Sequence, residues 1–125
     1  MSKAIYNMFS QIKNAQINQK SVIFIKTQKQ CQQLLNLLWV NGFIIGYKFI
    51  NNKIKIFLKY TNNQPVINNL KFISKPSRKI YFSNYKLWKI DATKFFLIIS
   101  TSRGFLTLFE CKKQSLGGEL VVVLN

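Results

Sequence analysis

Residues 43–60 run FIIGYKFINNKIKIFLKY. Two strand-like stretches, Phe43–Ile50 and Lys53–Tyr60, flank Asn51–Asn52, a pair of turn formers, and together they predict a β-hairpin. Along the second stretch Ile54, Ile56, Leu58 and Tyr60 fall on one face, and Lys53, Lys55, Phe57 and Lys59 on the other, because side chains alternate along a strand. One face therefore belongs to a core and the opposite one is basic. That basic face either meets a polyanion or serves as a solvated surface that blocks edge aggregation.

Upstream lie segments able to cover the apolar face. Ile5, Met8, Phe9, Ile12 and Ala15 recur at three- and four-residue steps and predict an amphipathic helix over 3–16, with Ser2 as its cap. Ser21–Lys26 is short and β-branched, a strand. Thr27 opens a second helix carrying Cys31, Leu34, Leu35 and Leu38, which Gly42 stops. The order α-β-α-β-β makes an N-terminal lobe.

Downstream, TNNQP at 61–65 is dense in turn formers and is the expected linker. Beyond it come a stretch at 66–73 that is either a strand or an irregular extension, a short strand at 80–82, a short helix at 84–90, a buried strand at 95–99 and a last strand at 120–124. The predicted fold is α+β in two small lobes: residues 1–65, and a strand-rich C-terminal lobe with a short helix at 66–125.

Composition narrows the function. The 125 residues carry 19 Lys and Arg against three acids, Asp91, Glu110 and Glu119, a formal charge of +16 that repels itself in a free compact protein. A polyanion is the natural counterweight, nucleic acid first and an anionic membrane surface second. With 48% hydrophobic residues in strong periodicity, the chain is a folded basic protein and not a basic tail. Lys, Asn, Ile, Phe and Tyr make up 62 of the 125 residues, which points to an A/T-rich genome and gives the 17 lysines a second origin besides phosphate contact.

Catalysis finds no support. There is no histidine, the three carboxylates are scattered, and no phosphate-loop glycine pattern occurs, so no nucleophile–base pair is visible and the chain is expected not to be an enzyme. Cys31 and Cys111 form no CxxC pair and are expected as free core thiols, with no metal set, no cofactor and no small-molecule substrate. The longest apolar stretch, 34–50, is interrupted by Asn41, Gly42, Gly46 and Lys48, so no membrane span is expected.

Two constellations suit RNA. KPSRKIYFSNYKLWK at 75–89 interleaves Lys75, Arg78, Lys79, Lys86 and Lys89 with Tyr81, Phe82, Tyr85 and Trp88: cations neutralise phosphates and aromatic faces stack on unpaired bases, while half of these aromatics are expected in the core. In IISTSRG at 98–104 an apolar strand breaks into Ser100, Thr101 and Ser102, hydroxyls that donate and accept toward base edges and ribose, followed by Arg103 and Gly104. A plain Ser/Thr-rich turn is the alternative. Gly117 and Gly118 then lead to Glu119, which either orders the hydroxyl loop, accepts from a base, or is an exposed strand-end residue.

STSRGFLT and ECKKQSLGGELVVVL resemble the C-terminal signature of the bacterial-type small-subunit ribosomal protein eight family: Ser-Thr-Ser-Lys/Arg-Gly, then Gly-Gly-Glu before a closing strand. MFSQIKNAQ (8–16), NGFIIGYK (41–48), LKY (58–60) and SKPSRKIY (74–81) are similar to further family segments in order, so the resemblance spans the chain. It implies a two-lobe structural constituent of the small ribosomal subunit that binds small-subunit rRNA directly and helps fold its central domain beside neighbouring small-subunit ribosomal proteins. The matching contact residues are Ser100, Thr101, Ser102, Arg103, Gly104, Tyr81, Gly118 and Glu119, with Lys75, Lys13 and Asn14 as further contributions. The chain departs from the family pattern at Ser77 in place of glycine, at Leu106–Phe109 in place of acidic residues, and at the basic 84–90 stretch with Trp88. With the A/T-rich composition, these departures fit a divergent mitochondrial ribosome. A helix starting close to Met1 leaves no room for a presequence, so an organelle-encoded matrix protein is expected. The rival readings are a peripheral basic protein on anionic membrane and a nonribosomal RNA-binding regulator.

Overall fold

The computed structural model describes residues 3–67, 69–75, 77–91 and 96–124. The chain divides into two compact units, Ser2–Asn68 and Asn69–Asn125.

In the first unit the elements are α1 (Lys3–Ile17), β1 (Val22–Lys26), α2 (Lys29–Val40), β2 (Ile44–Ile50) and β3 (Lys53–Leu58), the order that the hydrophobic periodicity predicts. The expected cap Ser2 lies outside the described residues. Helix α2 opens from Gln28 and not from Thr27, and ends as Gly42 N–H donates to Trp39 O and Phe43 N–H to Leu38 O, a paired closure typical of helix C-termini. The three strands pair antiparallel in the order β1-β3-β2. Ile23, Ile25, Ile54, Ile56 and Leu58 are buried on one sheet face, where α1 packs on β1 and α2 on β2 through Phe9, Ile12, Leu34 and Leu35. Each such side chain stabilises the fold by about 1.5–3 kcal/mol relative to exposure.

The expected linker forms a structure of its own. β4 (Tyr60–Thr61) and β5 (Gln64–Pro65) pair across Asn62 and Asn63, whose φ values of 52° and 64° are those of a tight hairpin turn that asparagine tolerates. This hairpin belongs to the first unit.

The second unit is built around one central strand. β6 (Leu70–Phe72), β7 (Tyr81–Phe82), β8 (Phe96–Thr101), β9 (Gly104–Thr107) and β10 (Gly118–Leu124) form an antiparallel sheet ordered β6-β10-β8-β9, with β7 also on β10. The expected start of β8 at 95 lies outside the described residues. Two helices accompany the sheet, α3 (Asn84–Leu87) and α4 (Leu108–Gln114), where one was expected. They pack on each other, and α4 also packs on β8 and β9. Leu87, Leu97, Ile99, Leu108, Cys111 and Leu120 make the core beneath them.

Neither β9 nor α4 shows in the sequence pattern, because the apolar run 105–109 switches from strand to helix inside itself. Seven helical residues are too few to display a helical period. The signal that was present is the Thr-x-x-Glu spacing of Thr107 and Glu110: the Thr107 hydroxyl accepts from Glu110 N–H at 3.3 Å, and the Glu110 carboxylate accepts from Thr107 N–H at 3.3 Å.

Candidate nucleic-acid interface

The hydroxyl stretch sits at the β8–β9 turn. Thr101 pairs with Gly104, leaving Ser102 and Arg103 exposed at the tip. Neither tip residue has a positive φ, whereas Gly104 has φ 99°, so the glycine supplies the left-handed step that returns the chain into β9. Thr101 is committed to this turn: its hydroxyl donates to Gly104 O at 2.8 Å and accepts from Arg103 N–H at 3.1 Å. Of the three hydroxyls, Ser102 is the one presented to solvent, Ser100 and Thr101 being half-buried. The Arg103 guanidinium donates to Gln114 Oε1 at 3.2 Å, tying the turn to the last residue of α4. One hydroxyl shapes the turn and another faces outward.

Beside the turn, the sheet register lines up three expected site residues. Glu119 on β10 pairs with Tyr81 on β7 and with Ser100 on β8, and directly paired antiparallel residues share a face. Tyr81 is exposed, Ser100 half-buried and Glu119 buried, so Glu119 is enclosed between its two neighbours and is not an exposed strand end. Gly118 is needed for the approach of β10 to β8, since a Cβ there would meet Ser100 O at 2.3 Å. Its role in the structure is to let the two strands close.

Lys75 lies in the same unit on a closed loop. It exchanges backbone hydrogen bonds with Arg78 at 2.8 and 3.0 Å, and the buried Ser74 hydroxyl accepts from Ile80 N–H at 3.0 Å, closing the loop before Tyr81. Lys13 and Asn14 belong to the other unit, exposed on α1, where Asn14 shares a shallow surface groove with Lys20 and Phe24. The structure thus gathers the turn, Tyr81, Gly118 and Glu119, and leaves the α1 pair to a separate unit.

The exposed face of the first unit's sheet matches the predicted basic face. Phe24, Lys55 and Lys48 pair across it, as do Lys26 and Lys53, and Lys55 Nζ stands 6.0 and 5.1 Å from the Phe24 and Phe57 ring centres. In the 75–89 stretch Tyr81, Tyr85 and Trp88 are exposed and Phe82 alone of the four aromatics packs on the core, fewer than expected. Both cysteines are buried and free; burial raises the Cys31 thiol, and burial followed by the Glu110 charge pushes Cys111 up to about 11, so both remain protonated at neutral pH. Among the described residues no three His, Cys, Asp or Glu side chains group as a metal site, and no helix is long and apolar enough to cross a membrane.

Residues 3–124 match the family model described as Ribosomal protein S8. The chain is similar to small ribosomal subunit protein uS8 of Baumannia cicadellinicola subsp. Homalodisca coagulata, 36% identical over 126 residues covering 97% of this chain and 96% of that protein. It is equally similar to uS8 of Buchnera aphidicola subsp. Cinara cedri, 36% identical with 100% and 98% covered. A third relative is small ribosomal subunit protein uS8m of Acanthamoeba castellanii, 36% identical with 95% and 96% covered.

Proposed function

This chain belongs to the ribosomal protein S8 family, structural and non-catalytic constituents of the small ribosomal subunit that bind its RNA; from that premise we propose that the β8–β9 turn is its specific rRNA contact. The observation that carries this reading is the division of labour in the turn, where Thr101 and Gly104 hold the backbone and Ser102 and Arg103 face solvent. A preorganised donor–acceptor presents hydrogen bonds to a base edge or a 2′-hydroxyl without first ordering itself. Arg103 adds a planar fork for a phosphate or a base edge, exchanging its bond to the neutral Gln114 for a charged partner. Tyr81 offers a stacking face beside the turn, and Ser100 and Glu119 back it within the sheet. Lys75 supplies a further phosphate contact in the same unit, and Lys13 and Asn14 supply contacts from the first unit. The segment 69–125 acts as the rRNA-binding lobe, and the RNA element is one in the central domain of the small-subunit RNA.

The same reading places the protein in a mitochondrial ribosome and has it encoded in the organelle. The A/T-coded composition and the similarity to a uS8m protein support it. Co-sedimentation with the mitochondrial small subunit checks the location; a free pool, or sedimentation with another particle, sinks it.

Binding of the full chain to the isolated small-subunit rRNA hairpin tests the site. Ser102→Ala leaves the turn bonds intact and is expected to weaken that hairpin about tenfold, the scale of one well-made hydrogen bond to RNA, with little change on a random duplex. Equal losses on both RNAs remove the site assignment.

A further inference from the structure

Outside the turn, the second unit carries a groove of about 780 Å³ between the end of α3 and one face of α4, lined by Trp88, Ile90, Phe109, Lys89, Lys112 and Lys113. Phe109, Lys112 and Lys113 stand at i, i+3 and i+4 on α4 and therefore share that face. Two large aromatics are left open to solvent here, Trp88 at 59% and Phe109 at 67% exposure, which a stable core does not require.

Trp88 is nevertheless held in place. Its indole Nε1–H donates to Asn84 Oδ1 at 3.0 Å, and the Asn84 amide in turn donates to Cys111 O and Leu116 O at 3.2 and 3.0 Å, at the C-terminal end of α4. The Lys112 ammonium lies 5.4 Å from the Trp88 ring centre and donates to Ile90 O, fixing a cation against the indole. An exposed ring ordered by a hydrogen bond, an amide bracket and a cation has already lost its rotamer freedom, so a ligand that stacks on it does not bear that cost.

We propose that this groove takes an unpaired segment of RNA, a base stacking on the Trp88–Phe109 wall and its phosphates lying along Lys89 and Lys113. Charge decides for RNA over a protein segment: lysine is depleted from protein–protein interfaces, and here three lysines rim the aromatics. Aromatic faces combined with a cationic rim are the arrangement that binds single strands without reading their sequence. One carboxylate, Asp91, also lies in the lining, against three lysines. The groove is thus a second, sequence-tolerant contact that catches a strand next to the site read by the turn. It rests on the reading above only in taking RNA as the partner.

The test uses the full chain carrying Trp39→Phe, which leaves Trp88 as the sole tryptophan. Titrating it with an eight-nucleotide oligouridylate is expected to quench Trp88 emission saturably. Phe109→Ala should weaken that binding about tenfold, within the range of one base–aromatic stack. Lys113→Gln, exposed and remote from the core, should weaken it a few-fold. Ser102→Ala should leave the Trp88 signal unchanged while it impairs the rRNA hairpin. Absence of quenching, indifference to both groove variants, equal competition by duplex RNA, or equal quenching by polyglutamate overturns the proposal, the last outcome assigning the groove to an acidic protein segment. Hairpin binding that ignores Ser102 overturns the turn assignment instead, and leaves the groove standing if Trp88 still responds.

Discussion

The two units put their polar chemistry on the sheet in different ways. In Ser2–Asn68 the open sheet face alternates Lys26, Lys48, Lys53 and Lys55 with Phe24 and Phe57, long cationic stems of which Lys55 lies over the two rings. In Asn69–Asn125 the corresponding groups are short and locked: Thr101 bonds twice inside its turn, Gly118 lets β10 close on β8, and Asn84 brackets Trp88 against α4. A lysine finds a phosphate over several ångströms through its flexible stem, whereas a serine hydroxyl acts only where the backbone has placed it. The first unit therefore offers charge and the second offers position.

The sharpest way to break this contrast is Gly118→Val. It alters no charge, yet its Cβ would meet the Ser100 carbonyl at 2.3 Å, so β10 and β8 must separate. A loss of about 3 kcal/mol in urea unfolding is expected, together with loss of rRNA hairpin binding under folding conditions. Unchanged stability would mean that the close approach of these strands does not shape the turn. Thr107→Ala has a smaller expected effect. It removes the capping box of α4 and should cost about 1 kcal/mol in the same measurement, with a modest loss of hairpin affinity transmitted through Gln114 to Arg103. The smallest effect on stability, under about 0.5 kcal/mol, is expected for Lys55→Gln. Its signature lies in the salt dependence: the slope of log affinity against log salt should fall by about one, alike for the rRNA hairpin and a random duplex. A loss confined to the hairpin would show that the first unit, too, reads position.

The contrast also explains which parts were legible from the residues. The first unit declares itself through period: Ile5, Met8, Phe9 and Ile12 step along a helix, and Ile54, Ile56 and Leu58 alternate along a strand, because burial on one face imposes those spacings. Its segment 60–65 reads as a linker in the sequence and forms a hairpin in the structure, since Asn-Asn tolerates a tight turn as readily as a flexible join. In the second unit β8 and β10 were visible as apolar runs, and the Ser-Thr-Ser-Arg-Gly and Gly-Gly-Glu segments marked the candidate site. The burial of Glu119 was hidden, because it follows from β7 and β8 pairing on either side of it, and those strands lie 38 and 19 residues upstream at Tyr81 and Ser100. Helix α4 was announced only by its capping box.

The amino-acid sequence by itself determined the charge that calls for a polyanion, the periodic core of the first unit and the family to which the chain belongs. All three are local properties, sums and spacings that survive without knowledge of who pairs with whom. Tertiary structure alone decided which hydroxyl is spent on the turn, that Glu119 is buried between Tyr81 and Ser100, and that Trp88 meets Lys112 in a common groove. Those facts depend on strand register and helix docking between residues far apart in the chain, and such contacts leave no period behind to be read.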